Sequence, residues 1–202
     1  MMSDSLYRTA FLVLLVGILA MRGYFMWKVR RAGERLMPGQ GAVEREGGHA
    51  VFVLRVVVFL VFIAFLVMYI AGMAWIDVFS FPFPAWLRWA GFALGLLSLA
   101  FWTRTQVALD IQWSAQLQLR KEHHLVTSGP YARIRHPLYA AMFAWAIALA
   151  LLTANWLFVA LAALSIAGTM VRVPKEEKMM IEAFGDEYKA YIQRTGRYFP
   201  KL

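Results

Sequence analysis

Two short blocks hold most of the residues able to do chemistry. The first, His123 to Tyr139, reads HHLVTSGPYARIRHPLY and lies between two long apolar segments. The second, Arg172 to Tyr191, reads RVPKEEKMMIEAFGDEYKAY and follows the last apolar segment. In the first block, Thr127-Ser128-Gly129-Pro130 is a turn signal, because the hydroxyls bond local backbone and Gly-Pro reverses the chain. Pro137 suits the first position of a helix, where its missing N–H costs nothing. Tyr131, Arg133, Arg135 and His136 then sit on a loop leading into a helix N-terminus. Unpaired N–H groups and the positive end of the helix dipole favour an anionic group there. Tyr131 and Tyr139 add flat faces suited to an adenine ring or a cation.

In the second block, Arg172, Glu176 and Met180 are spaced i, i+4, i+8 and share one face if the segment is helical. Pro174 fits only the first turn of a helix or a break, so the pattern predicts a fresh helix beginning here, with Glu176 and Glu177 favoured at its start by the dipole. Each feature also has a plainer reading. Arg133 and Arg135 would serve as lipid-headgroup anchors, His136 as a helix cap, and the second block as an amphipathic surface helix with Lys175 and Lys178 solvated. His123 and His124 do not predict a metal site: sequence neighbours rarely converge on one ion, the chain has no cysteine, and the nearest third histidine is His136.

The elements that must position these blocks are membrane helices. Of the 202 residues, 61% are hydrophobic and only 16% charged, whereas a soluble domain is about half apolar and a quarter charged. Leu6 to Trp27, Val51 to Trp75 and Ala85 to Trp102 are each long enough to cross a hydrocarbon core of about 30 Å. The first is a retained span and not a cleaved signal, since its basic cluster follows the apolar run. Gly91 and Gly95 form a small-xxx-small pair, the mark of close helix packing. The polar-apolar mixture from Thr103 to Leu119 either continues the third helix or lies along the interface. Leu138 to Val171 is too long for a single crossing, and Thr153-Ala154-Asn155 divides it into a helical hairpin. The predicted fold is an all-α polytopic bundle of about five spans.

Basic residues fix the expected orientation. Five lie between Lys28 and Arg45, five between Arg104 and Arg135, and seven between Arg172 and Lys201, against Arg8 and Arg88 on the other side. Both blocks and the C-terminus are therefore expected in the cytoplasm and the N-terminus outside. The same distribution, at the ends of apolar segments, argues that the net charge of +9 does not serve nucleic-acid binding.

The first block resembles the H-x-L-V-T-S-G-x-Y-x-x-x-R-H-P-x-Y segment of the membrane-embedded methyltransferases that include isoprenylcysteine carboxyl methyltransferase and the phospholipid N-methyltransferases. The tail RVPKEEKMMIEAFGDEYKAYIQRTGRYFP resembles their R-x-x-x-E-E, F-G-x-x-Y-x-x-Y and closing R-x-x-P pattern. The likeness covers Gln116 to Pro200, and it departs from the family at Ala141, where Gly is common. It implies one integral-membrane domain over 1–202, with three spans in 1–105 and the donor-binding loop, hairpin and C-terminal helix in 106–202. It further implies S-adenosylmethionine as methyl donor, bound by Gln116, His123, His124, Leu125, Val126, Tyr131, His136, Pro137, Leu138 and Tyr139 and closed over by Glu176. Arg172 matches the family arginine that contacts the methyl acceptor, so Arg172 and Glu176 are the expected catalytic pair. The expected partners are the bilayer and a lipophilic acceptor, with a prenylcysteine-type acid foremost. A phospholipid amine or small thiol, a sterol-type reductase using NADPH, and a non-catalytic membrane protein remain as alternatives.

Overall fold

In the computed structural model, residues 2–32, 48–110 and 125–201 are described. They form α1 (Met2–Arg31), α2 (Gly48–Ile70), the single turn α3 (Ala74–Asp77), α4 (Ala85–Leu109), a 3-10 turn (Gly129–Ala132), α5 (Pro137–Thr153) and α6 (Trp156–Arg194). The all-α architecture expected from the composition is what the chain adopts. α1, α2, α4 and α6 are long and apolar enough to cross a membrane, and α5 is an apolar helix of 17 residues.

α1 buries Tyr7, Phe11, Leu14, Ile18, Met21, Phe25 and Val29, a stripe at three- and four-residue spacing, while Leu12, Val16 and Leu19 face outward. Phe11 meets Tyr69 of α2 and Phe158 of α6 in a three-ring edge-to-face cluster with centroids 5.0–5.6 Å apart. A second core, nearer the other end, joins Ile18, Met21 and Phe25 to Trp102 and Ala141. Ala141 is fully buried, and its carbonyl accepts a 2.8 Å hydrogen bond from Ser98. The methyl that replaces the family's usual glycine is therefore accommodated in the α4–α5 contact.

Gly91 and Gly95 act as their spacing predicts. A Cβ on Gly91 would come within 2.7 Å of Leu151 Cβ and 2.8 Å of the Leu152 amide in α5, and one on Gly95 within 2.5 Å of Leu14 in α1. The hairpin turn also falls where expected: Ala154 takes a left-handed conformation and Asn155 caps α6 by accepting from the Leu157 amide at 3.0 Å. α4 runs on to Leu109, which settles the Thr103 stretch in favour of a continued helix as far as the described residues reach.

One expectation is overturned. No new helix starts at Pro174, because α6 passes through it and its only non-helical residue is Gly185 (φ 53°, ψ −124°). Pro174 removes a single rung of the helix ladder. Gly185 adopts a conformation that L-residues with a side chain avoid, so it is the true breakpoint.

Gly91→Ala should destabilise the α4–α5 contact by about 1–3 kcal/mol, as overpacking does. Gly168→Ala, at a position with open space around it, should not. Thermal unfolding of both variants in detergent tests the difference.

Candidate active site

The apolar part of α6 ends at Val171, and the charged segment beyond it meets the start of α5. Burial of one carboxylate organises this junction. Glu177 is 8% exposed, and its Oε1 accepts from Arg135 Nε at 3.1 Å, lies 3.2 Å from His136 Nε2, and accepts from Arg197 Nε at 3.2 Å. Its Oε2 accepts from Arg197 Nη2 at 2.6 Å, so Arg197 grips the carboxylate with one two-pronged edge. Burial pushes the carboxyl upward, but the bonds from His136, Arg197 and Arg135 outweigh it and bring its pKa to about 2. The same contact raises the pKa of Arg197.

Backbone and aromatic contacts complete the frame. The Arg135 and His136 amides donate to the carbonyls of Gly196 and Arg197, and the Gly196 amide donates back to Arg133. Arg135 also caps the end of α6 through the carbonyls of Ile192 and Thr195. Tyr191 donates to the Tyr131 carbonyl at 2.6 Å, and burial pushes the Tyr131 phenol well above its usual range. The chain ahead of α5 is thus stitched to the segment after α6, and neither is positioned without the other.

A second polar group stands beside this frame. Tyr139, in the first turn of α5 and stacked on His136 (centroids 5.7 Å apart, planes at 26°), donates to Glu176 Oε2 at 2.8 Å. Arg172, one turn before Glu176, interacts with the same hydroxyl. Glu176, Arg172 and Tyr139 are half-buried, in contrast to Glu177. The adjacent carboxylates therefore divide the work: one is sealed among cations, the other is accessible.

Of the residues expected to bind the donor, the structure brings together Tyr131, His136, Pro137, Leu138, Tyr139 and Glu176, with Leu125 and Val126 half-buried just ahead of the 3-10 turn. Gln116, His123 and His124 lie outside the described residues. Two details depart from expectation. The amides of Arg135 and His136 are not available to an anion, because backbone carbonyls occupy them. The side chains of Arg135 and His136 face Glu177, which excludes Glu177 as a general base and occupies both side chains. Sequence reasoning missed this hub and the part of Arg197, although the closing R-x-x-P and the second tyrosine of F-G-x-x-Y-x-x-Y were its visible signals.

A family model for isoprenylcysteine carboxyl methyltransferase matches residues 90–182, from α4 to the charged part of α6. A solved structure of the eukaryotic intramembrane Ras methyltransferase of that name superposes with a TM-score of 0.50 at 28% identity, covering 57% of this chain and 42% of that one. Residues 90–182 are a segment of the isoprenylcysteine carboxyl methyltransferase family. This chain is also similar to the nickel-cobalt-cadmium resistance protein NccN of Alcaligenes xylosoxydans xylosoxydans, 30% identical over 76% of this chain and 66% of the relative. The protein-S-isoprenylcysteine O-methyltransferase of Schizosaccharomyces pombe is 31% identical over 54% of this chain and 49% of its own length. The chain thus spans about half to two thirds of the curated relatives it matches. Arg172, Glu176 and Glu177 lie within the matched segment.

Glu177→Gln should cost about 3–5 kcal/mol at neutral pH, since it leaves the buried Arg135 guanidinium without its counter-charge. Glu187→Gln, at an exposed site, should cost little. Because the native carboxyl is held below its ordinary value of 4.5, its contribution is full above that pH and is lost as pH falls toward about 2. Denaturation of wild type and Glu177→Gln across this range should show the two converging in acid.

Proposed function

We propose that the protein is an S-adenosylmethionine-dependent methyltransferase acting at the membrane on a lipophilic acceptor, most closely a prenylcysteine-type carboxylic acid. The observation that carries this reading is the grouping of Tyr139, Arg172 and Glu176 where the charged part of α6 meets α5. The named activities of the Schizosaccharomyces pombe and Tribolium castaneum relatives support it.

The residues present fit the donor. Its ammonium group suits Glu176, the accessible member of the carboxylate pair. Its flat base suits the ring faces of Tyr131 and Tyr139, and its carboxylate suits the first-turn amides of Leu138 and Tyr139, which have no intrahelical partner by position. When bound, S-adenosylmethionine supplies an electrophilic methyl on a sulfonium. The chain's own task is alignment and exclusion of water. Arg172 holds the acceptor carboxylate by charge-assisted hydrogen bonds and presents one oxygen as nucleophile. A carboxylate is already ionised at neutral pH, so no general base is required, which agrees with Glu177 being unable to act as one. His136, bonded to Glu177 and stacked on Tyr139, fixes the tyrosine that in turn aims Glu176. In this reading the site faces the cytoplasm, as the excess of basic residues at this end implies.

Calorimetry on purified protein should show binding of S-adenosylmethionine and none of NADPH; the reverse result would replace this reading with a reductase. Glu176→Ala should weaken donor binding at least about tenfold, the loss of one good charged contact. Arg172→Ala should leave donor binding intact while abolishing transfer to a prenylcysteine acid, and full turnover in that variant would contradict its role.

A further inference from the structure

At the opposite end of the bundle from these residues is a cavity of about 240 Å³, which no part of the proposed reaction uses. Its charged lining comes from Asp4 and Arg8 of α1, Asp77 at the end of α3, and Arg88 in the first turn of α4. Arg8 and Arg88 are the two cations that the charge count leaves on this side. Both turn inward, with side chains 24% and 14% exposed, where interfacial arginines ordinarily extend to the headgroups. Arg8 donates to both oxygens of Asp77 at 2.9 and 3.1 Å. Arg88 lies 3.5 Å above the Tyr7 ring, donates to the Leu152 carbonyl at 2.9 Å, and reaches Asp4 only at 3.5 Å.

The walls are pre-formed. The segment after α3 pairs with the α5–α6 turn through Phe81 N to Ala154 O and Trp156 N to Phe79 O, both 2.9 Å, and Asn155 donates to the Ile76 carbonyl at 2.8 Å. Exposed Trp75, Trp86, Trp89 and Trp156 surround this end, and such a ring of indoles marks headgroup depth. The cavity therefore opens where the headgroups of that leaflet lie.

We propose that this cavity binds the headgroup of a zwitterionic phospholipid carrying a primary amine, from the leaflet opposite the candidate active site. Two guanidiniums and two carboxylates make the lining neutral, so a ligand with net charge would leave one pair uncompensated, whereas a phosphate joined to an ammonium matches both signs. The phosphate takes N–H groups of Arg8 together with those of Arg88 whose own contacts, to Asp4 and to the Thr153 carbonyl, are long at 3.5 Å. The ammonium takes the carboxylates of Asp4 and Asp77, whose side chains are 60% and 51% exposed and so within its reach, against the ring faces of Tyr69, Phe81 and Phe83. A bound lipid would tie α1, α4 and the hairpin turn together from the membrane side.

The test is native mass spectrometry and thermal unfolding of the full chain in detergent doped with phosphatidylethanolamine or phosphatidylglycerol. The ethanolamine lipid should be retained and should raise the unfolding midpoint; the glycerol lipid should do neither. Asp4→Asn, at an exposed side chain, and Phe83→Ala, in the wall, should each weaken retention about tenfold while leaving the midpoint without lipid unchanged. Equal retention of the two lipids, or retention unaffected by both variants, would overturn the proposal and leave a water-filled cluster of structural ion pairs. Glycerophosphoethanolamine separates the two sources of the ligand. Competition only at large excess over the lipid supports the lipid, and binding as tight as the lipid's overturns it in favour of a soluble phospho-amine.

Discussion

A carboxylate cannot be taken out of water without compensating charge, and Glu177 shows how far that requirement reaches. Three basic side chains from two distant parts of the chain converge on its two oxygens. Arg135 and His136 come from the approach to α5, Arg197 from the segment after α6. Because each also has a structural neighbour of its own, the ion cluster sets backbone positions as well as side chains. Arg135 closes the end of α6, and His136 supports the Tyr139 ring. The orientation of Glu176, one residue from the hub but on the accessible side, follows from this arrangement.

The same junction explains why the two polar blocks are so far apart in sequence yet inseparable in space. The hairpin of α5 and α6 brings them together, and the close α4–α5 contact at Gly91 fixes the hairpin against the rest of the bundle. Neither block would hold its geometry alone. The approach to α5 has a single 3-10 turn, and the segment after α6 has no regular structure, so both depend on bonds to one another.

Much of this was legible from residue types. Long apolar runs, the glycine pair and the Thr153–Asn155 turn signal specify helices, a close packing face and a hairpin because each rests on local physics that tertiary structure had no reason to override. Arg172 and Glu176 were legible as one helix face from their spacing, and only the likeness to a known motif put Tyr139 near Glu176. What escaped was the division of labour between Glu176 and Glu177. The two are identical in type and adjacent, and only the identity of the facing elements decides which is sealed. Pro174 misled for a related reason. Its local preference to begin a helix is real, but it is worth one hydrogen bond, and a long helix with packing on both sides of the proline absorbs that loss. Gly185, visible in the sequence only as the glycine of the F-G-x-x-Y-x-x-Y likeness, breaks the helix instead. Arg135 read as a headgroup anchor or an anion ligand, since nothing local reveals that its partner is 42 residues away.

α2 differs from its neighbours in how it is held. Along Phe52 to Val61 its large side chains point outward, and only near Leu66 and Tyr69 does it enter the core. A helix secured at one end has little protein to set its inclination over the rest of its length. For such a segment the thickness of the surrounding hydrocarbon sets the tilt, since a long apolar helix in a thin bilayer leans to keep its side chains covered. The lipid composition of the host membrane would then adjust the angle between α2 and the α1–α6 core.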